Sequence, residues 1–76
     1  MELTKFRENV AQQFLEEDQK LVSETVEFRK LETYDSLTGM AILAIIKDEY
    51  GVDIPVDEYK KLNTVNQLFE YVNKRI

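Results

Sequence analysis

The sequence has no cysteine and no histidine among its 76 residues. Without cysteine there is no disulfide framework and no thiolate of the chain's own. Zinc usually takes Cys or His ligands, so the composition argues against such a site, and no metal is expected. Histidine is also the commonest general base, and that tool is missing. No apolar run approaches the roughly 20 residues needed to span a bilayer. The N-terminus is Glu-containing and amphipathic, unlike a signal peptide. The expectation is a cytoplasmic protein without membrane insertion.

What is present suffices for one domain over residues 1–76, with one modest core. A hydrophobic share of 43% makes that core feasible without staples, though stability should be marginal. Fifteen acids against ten bases give a net charge of −5. An acidic domain repels phosphate backbones, which disfavours nucleic acid and suits a partner with a basic docking face. The acidity is local. Residues 35–58 hold six acids and one base, whereas residues 59–76 hold one acid and four bases. Asp48 and Glu49 lie in the acidic stretch and are candidates for docking. A merely solvated surface accounts for the same pattern.

Leu3, Phe6, Val10 and Phe14 fall on one helical face, with Lys5, Arg7, Glu8 and Gln12 turned to water, which predicts a first helix over about 2–16. Glu16, Glu17 and Asp18 read as a solvated turn. Residues 17–35 carry no clean period and read as a long loop with room for one helical turn, anchored by Phe28 and Leu31. Ser36 to Tyr50 is a helix apolar nearly all round, and Gly51 is a natural stop. Ile42, Ile45 and Ile46 are its expected core residues. Val52-Asp53-Ile54-Pro55 is extended, and Pro55 opens a short third helix over about 56–62. Thr64 and Gln67 fit a capping box for a last helix that carries Val65, Leu68, Phe69, Val72 and Ile76 on one face. The expected fold is all-α: a small four-helix bundle of three longer helices and one short third helix, with a long loop between the first two.

Ser36 stands at the first turn of an apolar helix, directly after Asp35. Free backbone N–H groups and the positive end of the helix dipole make that a favourable place for a phosphate ester. Gly39, three residues on, would leave the spot uncrowded. On the dipeptide alone, Asp and Ser at a helix start read more readily as caps. A hydrolase nucleophile is weaker still, since no His is there to activate Ser36. Ser36, Met40, Ala44 and Lys47 share a helix face, with Leu37 beside it. Leu37 and Met40 are therefore candidates for a small apolar docking patch, against the alternative that both point into the core.

The wider pattern decides between these readings. Asp35-Ser36-Leu37 opens the apolar helix, Tyr50-Gly51-Val52-Asp53-Ile54-Pro55 closes it, and Thr64-Val65 opens the last one. This ensemble resembles the acyl carrier protein family, without a gap from Asp35 to about Asn73 and more loosely before. The resemblance implies that a phosphopantetheinyl transferase places a 4'-phosphopantetheine arm from coenzyme A on Ser36, with Asp35 as the acidic neighbour of the motif. The thiol belongs to the cofactor, so a chain without cysteine can carry acyl or aminoacyl groups as thioesters. The implied partners are that transferase and acyl-loading, condensing or other biosynthetic enzymes of fatty-acid, polyketide-like or specialised pathways. The implied protein is a monomer and no enzyme.

Two departures from the fatty-acid form stand out. The lead-in Leu31-Glu32-Thr33-Tyr34 has no Gly, and Thr38-Gly39-Met40-Ala41 carries no acid. The resemblance thus points to a specialised freestanding carrier. Tyr59 puts a bulky ring where the family often has a smaller residue near the acyl pocket, which implies that long chains are hidden poorly. Two other readings remain beside this one. A plain helical interaction domain without a prosthetic group would bury the same face but not need Ser36. A small enzyme lacks any acid–base constellation that can be placed.

Overall fold

In the computed structural model, which describes residues 1–76, the chain forms five helices: α1 (Leu3–Ala11), α2 (Glu16–Gln19), α3 (Ser36–Tyr50), α4 (Val56–Tyr59) and α5 (Val65–Asn73). A 3-10 turn at Phe28–Lys30 lies in the connection to α3. The fold is all-α with the three longer helices expected, and the only pairing of extended backbone is one isolated bridge between Glu27 and Thr64. The connection contributes a second short helix, α2, that the four-helix count did not include.

The starts of α3 and α5 and the end of α3 are set by local chemistry. The Asp35 carboxylate accepts the Thr38 N–H at 2.9 Å and the Thr38 hydroxyl at 3.1 Å, which starts α3. Gly51 ends it in the left-handed region at φ 71°, where a side chain would be strained, and its N–H donates to the Lys47 carbonyl at 2.9 Å. Thr64 and Gln67 form the expected capping box on α5. Helix α1 stops at Ala11, short of the expected residue 16. Gln13 and Phe14 instead bond three residues back, to Val10 and Ala11, in tighter turns that still bury Phe14. Helix α4 ends at Tyr59 in the same manner: Lys61 and Leu62 continue with three-back bonds to Glu58 and Tyr59.

Helix α1 packs on α3 and α5. The centre of the core is Phe6, Val10, Phe28, Ile42, Ile46, Val65, Leu68 and Val72, all essentially inaccessible. Phe6 lies 5.3 Å from the Tyr50 ring and meets Phe69 edge-on at 5.6 Å. Buried Asn9 donates to the Tyr50 hydroxyl at 2.9 Å, which ties α1 to the end of α3. Ile45 is half-buried, at the edge of the core rather than inside it. Ile76 is exposed, because α5 ends at Asn73 and the face it was expected to extend ends there too.

The connection from α1 to α3 is stitched down by side chains. Asp18, expected in a solvated turn, is buried in α2, and its carboxylate accepts both the backbone N–H of Thr33, at 2.9 Å, and the Thr33 hydroxyl. Arg7, expected in water, donates to the Val22 carbonyl at 2.9 Å. Phe28 is fully buried as an anchor, and Leu31 is partly buried against the core. The Phe28 N–H donates to the Asn63 carbonyl and the Asn66 N–H to that of Glu24, so the connection is held at the start of α5.

Candidate functional site

The site begins at the cap of α3. Asp35, not Ser36, is the N-cap residue, and Thr38 completes its capping box. These bonds hold the Asp35 carboxyl below the usual carboxylate range, chiefly through the Thr38 N–H and then its hydroxyl. Capping is therefore done by Asp35 and Thr38. Ser36 takes the first helical position with an exposed side chain. First-turn N–H groups have no acceptor within the helix, so a phosphoester on the Ser36 oxygen would meet the positive end of α3.

Leu37 and Met40 stand 71% and 65% exposed beside the serine, and neither enters the core. The exposed stripe of α3 runs through Ser36, Met40, Ala44 and Lys47, with Leu37 and Asp48 along its edge. At about 100° per residue, Glu49 is turned well away from that edge although it is exposed. Of the two acids, only Asp48 thus lies along the serine's face. Lys47 pairs with Asp53 at 3.0 Å in full view of solvent.

Beside Ser36, an open groove of about 380 Å³ separates α3 from α4. Met40 and Leu43 line its α3 side, Val56 and Tyr59 its α4 side, and Tyr34 and Arg29 belong to its lining as well. Val56, 58% exposed, continues the apolar surface of Met40 across this gap. A larger crevice is lined by Glu16, Glu17 and Lys20 alone, with no hydrophobic residue and without the serine.

Gly39 has a different reason from the one expected. It is buried, and a Cβ there would come within 2.6 Å of the Tyr34 hydroxyl. The glycine makes room for Tyr34, whose hydroxyl bonds that of Tyr59 at 3.0 Å. Behind them lies Phe28, its ring 6.0 Å from Tyr34 and 6.1 Å from Tyr59. Burial, with the Tyr34 bond second, pushes the Tyr59 phenol well above its ordinary range, so it stays protonated. The Arg29 guanidinium stacks on the Tyr59 ring at 4.5 Å and donates to the carbonyls of Tyr59 and Leu62 and to the Asn63 side chain at 3.0 Å.

Sequence reasoning missed Tyr34, Arg29 and Val56 as groove residues. Val56 carried a faint signal, since an apolar residue just after Pro55 begins a short helix with little core to enter. Arg29 and Tyr34 carried none, because their partners lie 25 or more residues away.

The start of α3 thus presents an exposed serine beside a completed cap and an open groove, a place where a covalently attached group would meet no steric obstacle. Comparison with known proteins agrees. A family model described as a phosphopantetheine attachment site matches residues 7–72. An acyl carrier protein of Thermosynechococcus vestitus is 31% identical over 74 residues, 97% of this chain and 90% of that protein. The acyl carrier proteins of Rickettsia canadensis and Rickettsia rickettsii are each 34% identical over 61 residues, 80% of this chain and 71% of theirs. The chain belongs to the acyl carrier protein family, whose prosthetic group is 4'-phosphopantetheine. The exposed serine at the first helical position and the adjoining groove fit such an arm. When bound, the arm supplies the thiol that the chain lacks.

Proposed function

We propose that Ser36 is the attachment point, and that the protein carries acyl intermediates as thioesters on its arm from one biosynthetic enzyme to the next. The observation that carries this reading is the division of labour at the start of α3: Asp35 and Thr38 cap the helix, and the Ser36 hydroxyl stands exposed beside them. In the loading step the Ser36 oxygen forms a new P–O bond to the phosphate next to the pantetheine. The phosphoanhydride bond of coenzyme A breaks, the nucleotide bisphosphate leaves, and the hydroxyl proton passes to a base on the transferase.

Partner enzymes dock over Leu37 and Met40, with Asp48 at the edge of the patch. Val56 extends the apolar part, and Glu49 serves only a partner that wraps past the end of α3. The acid-poor early turn of α3 suits a specialised pathway more than the standard fatty-acid partners. The protein acts in the cytoplasm as a monomer and performs no catalysis of its own.

The test is to incubate purified apo protein with coenzyme A and a broad-specificity phosphopantetheinyl transferase and to read the intact mass. One arm is expected on the native chain and none on Ser36→Ala. A folded native chain that gains no mass beside a control carrier that does would overturn the proposal and favour a plain interaction domain.

A further inference from the structure

The groove beside Ser36 has an unusual lining for a site that would receive an alkyl chain. Met40, Leu43 and Val56 line it, yet so do Tyr34 and Tyr59, whose hydroxyls bond each other. Gly39 and Phe28 leave no slack around them. A methyl group at Gly39 would come within 2.6 Å of the Tyr34 hydroxyl and 3.4 Å of that of Tyr59, and the Phe28 ring packs against both tyrosines. A chain entering between α3 and α4 would have to part the pair and displace Phe28, which is fully buried. The packed aromatic cluster resists that.

The same pair has a binding capacity of its own. Two phenols carry two O–H donors, and their mutual bond consumes one. The second donor remains for an acceptor in the groove. A saturated chain laid there would shield that donor from water and give nothing in return, whereas a chain with an oxygen near its thioester would accept it.

From these contacts we propose that the Tyr34–Tyr59 pair makes the groove a receiving site for a short acyl group bearing a hydroxyl or oxo oxygen near its thioester, and bars long saturated chains from the core. The proposal rests on attachment at Ser36, from which the arm folds back along α3.

The test compares protein loaded by the transferase from acetoacetyl, butanoyl and octanoyl coenzyme A. Intact mass first verifies each loading, and backbone and methyl NMR signals are then read against the holo protein with a free thiol. Acetoacetyl and butanoyl have the same length and differ in one oxo group. Acetoacetyl is expected to shift the Tyr34, Gly39 and Tyr59 amides at least twofold more than butanoyl does. The doubly substituted Tyr34→Phe/Tyr59→Phe protein, which keeps both rings, should lose that difference. Octanoyl should leave the Ile46 and Leu68 methyls where the free-thiol protein has them. Equal shifts from acetoacetyl and butanoyl, or an octanoyl chain that moves Ile46 and Leu68, would overturn the proposal while leaving attachment intact. Shifts of the tyrosine amides already complete in the free-thiol protein would overturn it too, because the arm's own carbonyls would then occupy the donor. A protein that gains no mass at all fails at the earlier step and refutes attachment itself.

Discussion

Helix α3 and the connection that leads into it hold their shapes by different means. In α3 the decisive bonds are local: Asp35 to Thr38 at one end, Gly51 to Lys47 at the other. In residues 12–34 they reach far along the chain. Asp18 holds Thr33, Arg7 holds Val22, and Phe28 is pinned to the residues just before α5. The helix can specify itself from neighbouring residues, while the connection takes its form only once the rest of the bundle exists. The serine sits at the joint, so its surroundings inherit the exactness of one region and the dependence of the other.

Breaking the connection should have the largest effect. Asp18→Ala leaves the Thr33 N–H without its acceptor, a loss of about 1–3 kcal/mol. Chemical denaturation should show that loss. Amide exchange should speed up across residues 20–34 while the middle of α3 stays protected, and a uniform rise across both would contradict the separation drawn above. Removing the local cap should cost less. Asp35→Ala is expected to lower Tm by less than Asp18→Ala does, since only an exposed helix cap is lost.

That cap also has a pH signature. The folded Asp35 carboxyl titrates below its unfolded value, so its contribution is complete above the ordinary carboxylate range. It fades as pH falls through the lowered folded value, and Asp35→Ala should lose this part of the acid-limb slope. The smallest effect belongs to the exposed Lys47–Asp53 pair. Lys47→Ala should change stability by about 0.5 kcal/mol or less, while transferase or partner kinetics at low salt respond to the added net negative charge on the serine's face.

The same contrast explains what could be read from the residues. The bounds of α3 and the capping box at Thr64 and Gln67 follow from adjacent residues, and the structure has both as expected. The apolar period of α1 correctly pointed to Phe14 as buried but not to the end of the helix, because tight turns can keep a side chain on the same face. Asp18 looked solvated since nothing near it in sequence needed a carboxylate; its partner is 15 residues on. At the site, Ser36, Leu37 and Met40 were legible as a face of one helix. The Tyr34–Tyr59 pair was not, because it spans 25 residues and two elements, although the ring of Tyr59 had signalled a narrowed pocket. Gly39 was noticed but given the wrong neighbour, for a glycine announces a close approach without naming what approaches.

Arg29 has a mechanical consequence for the groove. Its guanidinium clasps the carbonyls of Tyr59 and Leu62 and the Asn63 side chain, and so fastens the end of α4 to the 3-10 turn rather than to α3. The far wall of the groove is therefore a shutter hung on the connection. It cannot swing away from α3 by itself; it carries Phe28 and the Glu27–Thr64 bridge with it. Widening the slot and loosening the loop are one motion, which sets the aperture beside Ser36 by the stiffness of the segment that leads into the serine's helix.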